Sequence, residues 1–330
     1  MLSGKIYFAH SSALCLLPAL LFLACTQELD IPFPQGKEQL VLNSILHPDS
    51  TIKISLTKTL PLGTTGSDFP VVDNAEIRLY EDDVLIGSPT FQDSLHVLNY
   101  FPKAGKQYSI EVIVPGFSTL NAADQMPQDF ESTVCIAPDE RYVFNNASIY
   151  ITIEDPTKDV NSYWLYTTSY HIRDKEGCFD PFDEDCYELY YGNDGYYYSF
   201  SSVPDRFNAY IDNVAGGVTS YDYFVRVEDS GVDGEAIIFE IASNISNNYI
   251  SSPDVLPRKL HIISASQHYD RFLKSSVLYV LNHSNYSYDE DFAFTPFAEI
   301  IQTYSNIENG TGIFAAYNSV SIPYDNFRCE

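Results

Sequence analysis

The chain has 330 residues, of which 45 are acidic and 18 are basic, and its formal net charge is −27. A surface this acidic repels phosphates, which argues against nucleic acid as a partner. A hydrophobic content of 45% excludes a chain that is disordered throughout, and the presence of 26 Tyr and 21 Phe favours β-structure.

An apolar segment near the N-terminus ends at a cysteine. Lys5 supplies a positive charge, and Ser11–Ala24 follows as an apolar run that is too short to span a membrane as a helix. The run resembles a bacterial lipobox, so we predict that residues 1–24 are a lipoprotein signal peptide and that Cys25 accepts the lipid. Phe22 stands where a lipobox usually has Leu. An ordinary signal peptide with a small-x-small cleavage site is the alternative.

Two segments follow the predicted lipid cysteine. Residues 25–37 are polar and contain prolines, so we predict an extended tether. Residues 38–126 show short apolar stretches that alternate with polar residues, with turn signals about every 8–12 residues, which is typical of an immunoglobulin-like β-sandwich. The predicted strands include Ile52–Leu56, Ala75–Tyr80, Val84–Ile86, Leu95–Tyr100 and Tyr108–Val114.

The rest of the chain, residues 127–330, is predicted to form a second β-rich domain with one packed helix. The helix signal is a capping box at Ser264–Gln267, followed by an apolar stripe. Residues 173–199 lose the strand periodicity and are rich in Tyr, Gly and charge, so we predict an insertion there. The predicted strands are Phe130–Ile136, Ser148–Ile153, Tyr163–Tyr170, Phe207–Ile211, Tyr221–Val227, Ala236–Ile241, Phe292–Phe297 and Gly312–Ile322.

The cysteines of an exported chain are expected to pair, because that compartment is oxidising. Four cysteines remain downstream of Cys25, and they allow three connectivities. Their proximity in sequence favours a bond between Cys178 and Cys186, which leaves Cys135 to pair with Cys329. No zinc site is predicted, because the sequence has no Cys-x-x-Cys pair.

The predicted insertion holds two candidate sites. Asp180, Asp183 and Asp185 are a weak candidate for binding a hard cation, but EF-hand spacing is absent and an exposed acidic loop is the favoured interpretation. Clustered tyrosines form a candidate recognition surface, since tyrosine offers contact area at low entropy cost. The alternative is that they occupy a β-edge or cover the core. These tyrosines are Tyr187, Tyr190, Tyr191, Tyr196, Tyr197 and Tyr198.

Catalytic motifs are absent from the sequence: it contains no GxSxG, HExxH, P-loop or GxGxxG pattern. His268 and Asp270 share the predicted helix, but two residues apart they lie on different faces. In a chain with 45 acidic residues, carboxylate pairs carry no information about catalysis. We therefore predict no catalytic residue, metal or cofactor, and a hydrolase is the least favoured hypothesis.

The C-terminal segment Ser305–Tyr317 contains Ser-Asn-Ile, a Gly-x-Gly turn and a short strand with Phe. Pro296-Phe297 precedes it, and Tyr269–Leu273, Asp233–Glu235 and the opening Cys25–Asp30 fit the same pattern. A strand pair Gln39–Leu46 with Thr51–Thr57 also fits. In these features the chain resembles the domain-of-unknown-function 4249 family of Bacteroidota lipoproteins.

A structural account of this signature is also available from the residues alone. Asn309, Gly310 and Gly312 permit positive φ, so we expect a tight turn between Ile307 and the strand that begins near Ile313.

The family resemblance implies an outer-membrane lipoprotein, often encoded beside TonB-dependent receptors, and it implies no catalytic residues. Glu28 and Asp30 resemble the surface-export signals of such lipoproteins. We expect a non-enzymatic binding or accessory subunit of a TonB-dependent transporter, attached to the outer membrane through Cys25 and facing the cell surface. A cell-surface structural or adhesive lipoprotein is the second hypothesis.

Overall fold

A computed structural model describes residues 37–61, 68–138, 147–154, 161–174, 187–193, 198–200, 225–229, 236–243, 259–284, 302–323 and 329. Within these ranges the chain forms seventeen strands and one helix. The prediction of a mostly β protein with one packed helix is confirmed.

The elements follow one another along the whole of the described chain. The first eight strands are β1 (Leu40–Leu46), β2 (Ile52–Lys58), β3 (Glu76–Glu81), β4 (Val84–Gly87), β5 (Thr90–Gln92), β6 (Leu95–Leu98), β7 (Gln107–Ile113) and β8 (Leu120–Gln125). The next eight are β9 (Glu131–Pro138), β10 (Ala147–Glu154), β11 (Ser162–Asp174), β12 (Tyr187–Asn193), β13 (Tyr198–Phe200), β14 (Val225–Glu228), β15 (Ile237–Ser243) and β16 (Lys259–Ala265). The last two elements are α1 (Gln267–Ser284) and β17 (Thr311–Pro323).

The first sandwich packs a four-stranded sheet, in the order β4-β3-β7-β8, against strands β1, β2 and β17. Alternate residues of β1 and β2 are buried, which is the period of two expected for half-buried strands. The turn between β3 and β4 places Asp82 and Asp83 at positive φ, which is the geometry of a tight type I′ hairpin. Buried Tyr108 accepts a hydrogen bond at 2.7 Å from the backbone N–H of Lys103, an arrangement like the tyrosine corner of immunoglobulin-like domains.

The second sandwich packs another four-stranded sheet, in the order β13-β15-β10-β9, against β11, β14 and β16. Its core is a separate cluster of apolar side chains, with Val320 and Ile322 of β17 packed against it. The fully buried members of this core with 0% exposure are Ile149, Ile151, Ile153, Tyr163, Val227 and Ile262.

Strand β17 belongs to both sandwiches. Its first half pairs in parallel with β1, in a register that sets Gly312 opposite Leu42, and its second half pairs antiparallel with β16. The result is one nine-stranded sheet, in the order β12-β11-β16-β17-β1-β2-β6-β5 with β14 attached to β11. Residues 38–126 therefore share their core with Phe314 and Ala316 from the C-terminal segment. The predicted division at residue 126 stays a prediction.

The signature loop, residues Ser305–Gly310, forms hydrogen bonds with the backbone of β17. The amide of Asn306 donates from Nδ2 to the carbonyl of Phe314 at 2.7 Å and accepts from the N–H of Phe314 at 3.0 Å. One side chain thus satisfies both backbone groups, as a neighbouring strand would. Asn309 has a φ of 62° and Gly312 a φ of 113°, so a positive-φ turn is present as expected, although Gly310 does not adopt a positive φ.

The same loop also covers the free edge of β8. The backbone N–H of Glu308 donates to the carbonyl of Asn121 at 2.9 Å, and the Nδ2 of Asn309 donates to the carbonyl of Thr119 at 2.9 Å. The signature loop therefore joins the edges of both sheets of the first sandwich, which accounts for the signature in structural terms.

Helix α1 packs against β16 and β17. Its N-cap is Ser266, whose hydroxyl oxygen accepts from the N–H of Tyr269 at 3.1 Å. The predicted capping box at Ser264–Gln267 is wrong by two residues, because Ser264 belongs to β16. Sequence analysis missed β16 itself, although alternate residues of its first part are buried and it lies in the middle of the sheet.

The described parts of the predicted insertion, residues 173–199, are strand rather than irregular loop. Strand β11 continues to Asp174, and β12 pairs with it antiparallel, so that Tyr191 stands opposite Tyr170. Strand β13 pairs with β15 of the other sheet. Loss of hydrophobic alternation did not indicate a loop here, because edge strands need less apolar burial on their faces than central strands.

A disulfide joins Cys135 on β9 to Cys329, across 194 positions of sequence. It is one of the two predicted pairs. The backbone N–H of Cys329 also donates to the carbonyl of Ile136 at 3.1 Å, so Cys329 is attached to β9 through its backbone as well as its sulfur. Cys178 and Cys186, the other predicted pair, lie outside the described residues, as do the predicted strands 207–211 and 292–297.

A buried ion pair attaches α1 to the nine-stranded sheet. Arg226 on β14 is 2% exposed, and its Nε donates to Oδ1 of Asp270 on the helix at 2.7 Å. The indole of Trp164 donates to the same oxygen at 2.9 Å. Burial alone would raise the pKa of Asp270, but hydrogen bonds and charge from Arg226 and Lys274 outweigh it and lower that pKa.

The Arg226→Met variant is expected to lose about 3–5 kcal/mol of unfolding free energy, because it leaves the carboxylate of Asp270 buried without its main counter-charge. Arg78→Met on β3 is the matched control, since Arg78 makes its ion pairs on the surface. Urea unfolding monitored by tyrosine fluorescence measures both variants. Equal midpoints for the two variants would contradict the structural role of Arg226.

The Gly312→Ala variant is expected to lose more than about 2 kcal/mol of unfolding free energy, because its Cβ would lie 2.0 Å from the carbonyl oxygen of Leu42. Gly116→Ala is the matched control: Gly116 also has a positive φ, of 86°, but a Cβ there meets nothing within 4 Å. Urea unfolding should therefore separate steric contact with β1 from backbone strain. A loss at Gly116 as large as that at Gly312 would show that strain alone is responsible.

Candidate functional site

Most of the site residues predicted from sequence lie outside the described residues. This holds for Cys25, Cys178, Cys186, Asp180, Asp183, Asp185, Tyr196 and Tyr197. Tyr187, Tyr190 and Tyr191 lie in β12, and Tyr198 lies in β13, so the structure places these four tyrosines in edge strands of two different sheets. Their role in recognition stays a prediction, as do lipidation at Cys25 and cation binding by the acidic loop.

Two general features of the described residues bear on the kind of site to expect. They contain no cluster of three or more His, Cys, Asp or Glu side chains that could hold a metal ion. In the same part of the chain, no helix combines the length and the apolar character needed to cross a membrane.

A cleft of about 510 Å³ opens where the first sandwich meets the start of α1. Its wall combines the start of β7, the end of β8 with the link that follows, the residue before β11, and the junction of β16 with α1. We call it the amide cleft, because five of its lining residues carry side-chain amides. They are Gln107, Gln125, Gln128, Asn161 and Gln267.

The fold explains why these amides converge. Gln107 and Gln125 are paired in the β7–β8 register, so they lie side by side at one end of the sheet. Gln267 is the first residue of α1, directly after the Ser266 cap. Asn161 is held by Asp229, to which its backbone N–H donates at 2.9 Å and its side-chain Nδ2 donates at 3.1 Å, so the donor of this amide is already engaged with the protein. The four glutamines are exposed and Asn161 is half-buried.

Asp124 lines the amide cleft and is 6% exposed. Its Oδ2 accepts a hydrogen bond from the backbone N–H of Ala316 at 2.8 Å and another from the hydroxyl of Ser266. The N–H of Ser266 in turn donates to the carbonyl of Ala316 at 3.0 Å. One carboxyl group therefore joins β8, β17 and the N-terminus of α1.

The environment of Asp124 changes its ionisation. Burial raises the pKa of Asp124 to about 7, although hydrogen bonds from Ser266 and from the backbone favour the charged form. The carboxyl is thus held close to the point where it is half protonated at neutral pH.

A second cleft of about 570 Å³ adjoins the first, and Ala123 and His268 line both. The adjoining cleft lies over β3, β7 and β8 beside the signature loop. The Nδ1 of His268 is 2.6 Å from the hydroxyl of Tyr304, and the two rings are stacked with centroids 5.9 Å apart. Burial, and then the charge of Arg271, lower the pKa of His268, so its imidazole is neutral at pH 7.

The amide cleft offers groups that exchange hydrogen bonds with a ligand. An amide presents both a donor and an acceptor, and His268, whose Nδ1 is engaged with the hydroxyl of Tyr304, has its Nε2 left for a ligand. Among the described lining residues Asp124 is the single carboxyl, and its Oδ2 is already engaged with the protein. This arrangement is suited to holding a polar molecule.

Sequence analysis missed every residue of the amide cleft. The five amides are spread from position 107 to position 267, and no local motif links them. His268 was considered only together with Asp270, which points instead to the buried Arg226.

The fold and the cleft define this chain as a double β-sandwich protein with a polar cleft of ligand size. The chain belongs to the family described as Domain of unknown function (DUF4249), whose sequence profile matches residues 26–322. The family to which the C-terminal signature pointed is therefore confirmed.

Other comparisons add little. Comparison with curated proteins gives no match. Among solved structures, one similar chain comes from a structure of manganese lipoxygenase of Gaeumannomyces graminis with a partial structure of zonadhesin of Komagataella pastoris. The identity is 14%, the TM-score is 0.17, and the match covers 72% of this chain and 91% of that chain. A TM-score this low carries no argument.

The Asp124→Asn variant should flatten the pH dependence of stability. The pKa of Asp124 is about 7 in the folded protein and 3.8 is its ordinary value, so its contribution is present at low pH and is lost as pH rises towards 7. Between pH 5 and pH 8 the wild type should lose about 2–3 kcal/mol that the variant retains.

Urea unfolding of both proteins at pH 5 and pH 8 measures this double difference. Asp73→Asn is the control, because Asp73 is exposed and should leave the wild-type pH dependence in place. Identical pH dependence in wild type and Asp124→Asn would contradict the raised pKa.

Proposed function

We propose that this protein is a lipid-anchored outer-membrane protein that acts as a non-enzymatic binding or accessory subunit of a TonB-dependent transporter. The observation that carries the binding role is the amide cleft, which gathers five side-chain amides from distant parts of the sequence. A concave, ligand-sized site with convergent polar groups is the usual form of a small-molecule binding site.

The proposed anchor rests on the N-terminal sequence. Lys5, the apolar run Ser11–Ala24 and Cys25 follow the order of a lipoprotein signal peptide. The match to the family begins at residue 26, directly after the proposed lipid cysteine. Residues 25–37 then supply a polar tether between the lipid and β1.

The proposed setting on the bacterial surface rests on the family resemblance. Glu28 and Asp30 resemble surface-export signals of Bacteroidota lipoproteins, and members of such families are often encoded beside TonB-dependent receptors. The net charge of −27 is compatible with an exposed, soluble portion outside the membrane.

The Cys25→Ala variant should lose the lipid. Cells that express the protein are labelled with an alkyne-bearing fatty acid, and the purified protein is tested for the label. Cys15→Ala is the matched control, because Cys15 lies inside the predicted signal peptide and should leave labelling unchanged. Label retained by Cys25→Ala would refute the anchor.

Transporter association is tested by a native pull-down in mild detergent, followed by mass spectrometry. The wild-type protein should co-purify a TonB-dependent receptor, and Cys25→Ala should recover much less of it because the two proteins no longer share a membrane. Recovery of no receptor, or recovery of structural surface proteins alone, would favour the adhesive hypothesis.

A further inference from the structure

We propose that the amide cleft binds a neutral, polyhydroxylated ligand, namely an oligosaccharide. The inference rests on the binding role in the proposed function, and it does not depend on the lipid anchor or on the transporter. It names the chemical class of ligand from the groups that line the cleft.

The hydrogen-bonding groups of the amide cleft match those of a ligand with many hydroxyl groups. Each amide of Gln107, Gln125, Gln128 and Gln267 carries an acceptor oxygen and a donor NH₂ group a short distance apart. A sugar hydroxyl also donates and accepts, and neighbouring hydroxyls on a ring are spaced for such paired contacts. A ligand with many hydroxyl groups can therefore satisfy these amides, whereas an apolar ligand would leave them without partners.

The charge of the chain and of the cleft lining favours a neutral ligand. An anionic ligand is disfavoured, because the chain carries a net charge of −27 and no Lys or Arg lines the amide cleft among the described residues. A cationic ligand gains little, because Asp124 is nearly buried and already accepts two hydrogen bonds through Oδ2. Neutral amides and a neutral imidazole at His268 remain as the groups that contact a ligand.

The nearest sheet edge favours an oligosaccharide over a peptide. Extended peptides commonly bind by adding a strand to an open sheet edge. The nearest edge is that of β8, where the carbonyl of Asn121, and that of Thr119 just before the strand, already accept from the signature loop. An added peptide strand therefore finds the start of this edge occupied, whereas a saccharide needs only side-chain contacts.

The shape of the site agrees with a chain of sugar units. The amide cleft, at about 510 Å³, and the adjoining cleft, at about 570 Å³, share Ala123 and His268 as wall residues. Both volumes fall in the usual range for small-molecule sites, about 300–1,000 Å³. A ligand long enough to occupy both clefts would contact His268 in each, together with Glu111 and Glu308 in the adjoining cleft.

The test measures binding of the purified soluble portion, residues 26–330, together with the full-length lipoprotein in detergent. Both are applied to an array of neutral oligosaccharides that includes maltotriose, cellotriose and mannotriose, with oligogalacturonate and trialanine as charged and peptide probes. Isothermal titration calorimetry then gives Kd for the best neutral probe. The expected result is binding of at least one neutral oligosaccharide and none of oligogalacturonate or trialanine.

Variants locate the binding to the amide cleft. Gln125→Ala and Gln267→Ala should each raise the Kd for the best neutral probe by about threefold to tenfold, the effect of one lost hydrogen bond. Gln92→Ala is the matched control, because Gln92 is exposed on β5 outside the cleft and should leave Kd unchanged. All three positions are exposed, so the variants are expected to fold.

Three results would overturn the inference: binding of no neutral oligosaccharide, preferential binding of a charged or peptide probe, or a Kd that Gln125→Ala and Gln267→Ala leave unchanged. The receptor pull-down is read separately. A receptor recovered by a protein that binds no neutral sugar would refute the inference and leave the proposed function standing. Sugar binding by a protein that recovers no receptor would support the inference and refute the transporter role.

Discussion

The double pairing of β17 is the constraint on which the rest of the structure depends. Its first half completes the first sandwich beside β1, and its second half completes the second beside β16. Where β17 changes partners, side chains hydrogen-bond to its backbone: Asn306 bonds to the N–H and C=O of Phe314, and Asp124 accepts from the N–H of Ala316. The amide cleft lies beside the point where β17 changes partners. The position of β17 therefore determines the geometry of the cleft.

The contrast between the surface and the cleft is chemical. The chain as a whole is strongly acidic, yet the described lining of the amide cleft is almost entirely neutral. The one carboxyl in that lining, Asp124, is committed to holding three elements together, and burial keeps its pKa near 7. Asp124 thus fixes the geometry of the amide cleft, and the exposed amides in the same lining present hydrogen-bonding groups.

The sequence was most informative where burial is one-sided. In β2 and β7 alternate residues face the first core, so a period of two was visible in the sequence. Strand β16 was missed, although Pro253 and Pro257 precede it and its buried residues alternate. The amide cleft could not be predicted, since Gln125 and Gln267 meet only through long-range pairing. The buried partnership of Arg226 with Asp270 was hidden for the same reason.

The position of β17 has a consequence for the order of events during synthesis. Strand β1 emerges from the ribosome early, but the strand that pairs with it in parallel begins only at Thr311. The first sandwich therefore cannot complete its sheet until the end of the chain is available, although most of its core residues lie before residue 127. Until β17 pairs with it, that edge of β1 remains open to incorrect pairing. Truncation near the C-terminus would accordingly damage the first sandwich as much as the second.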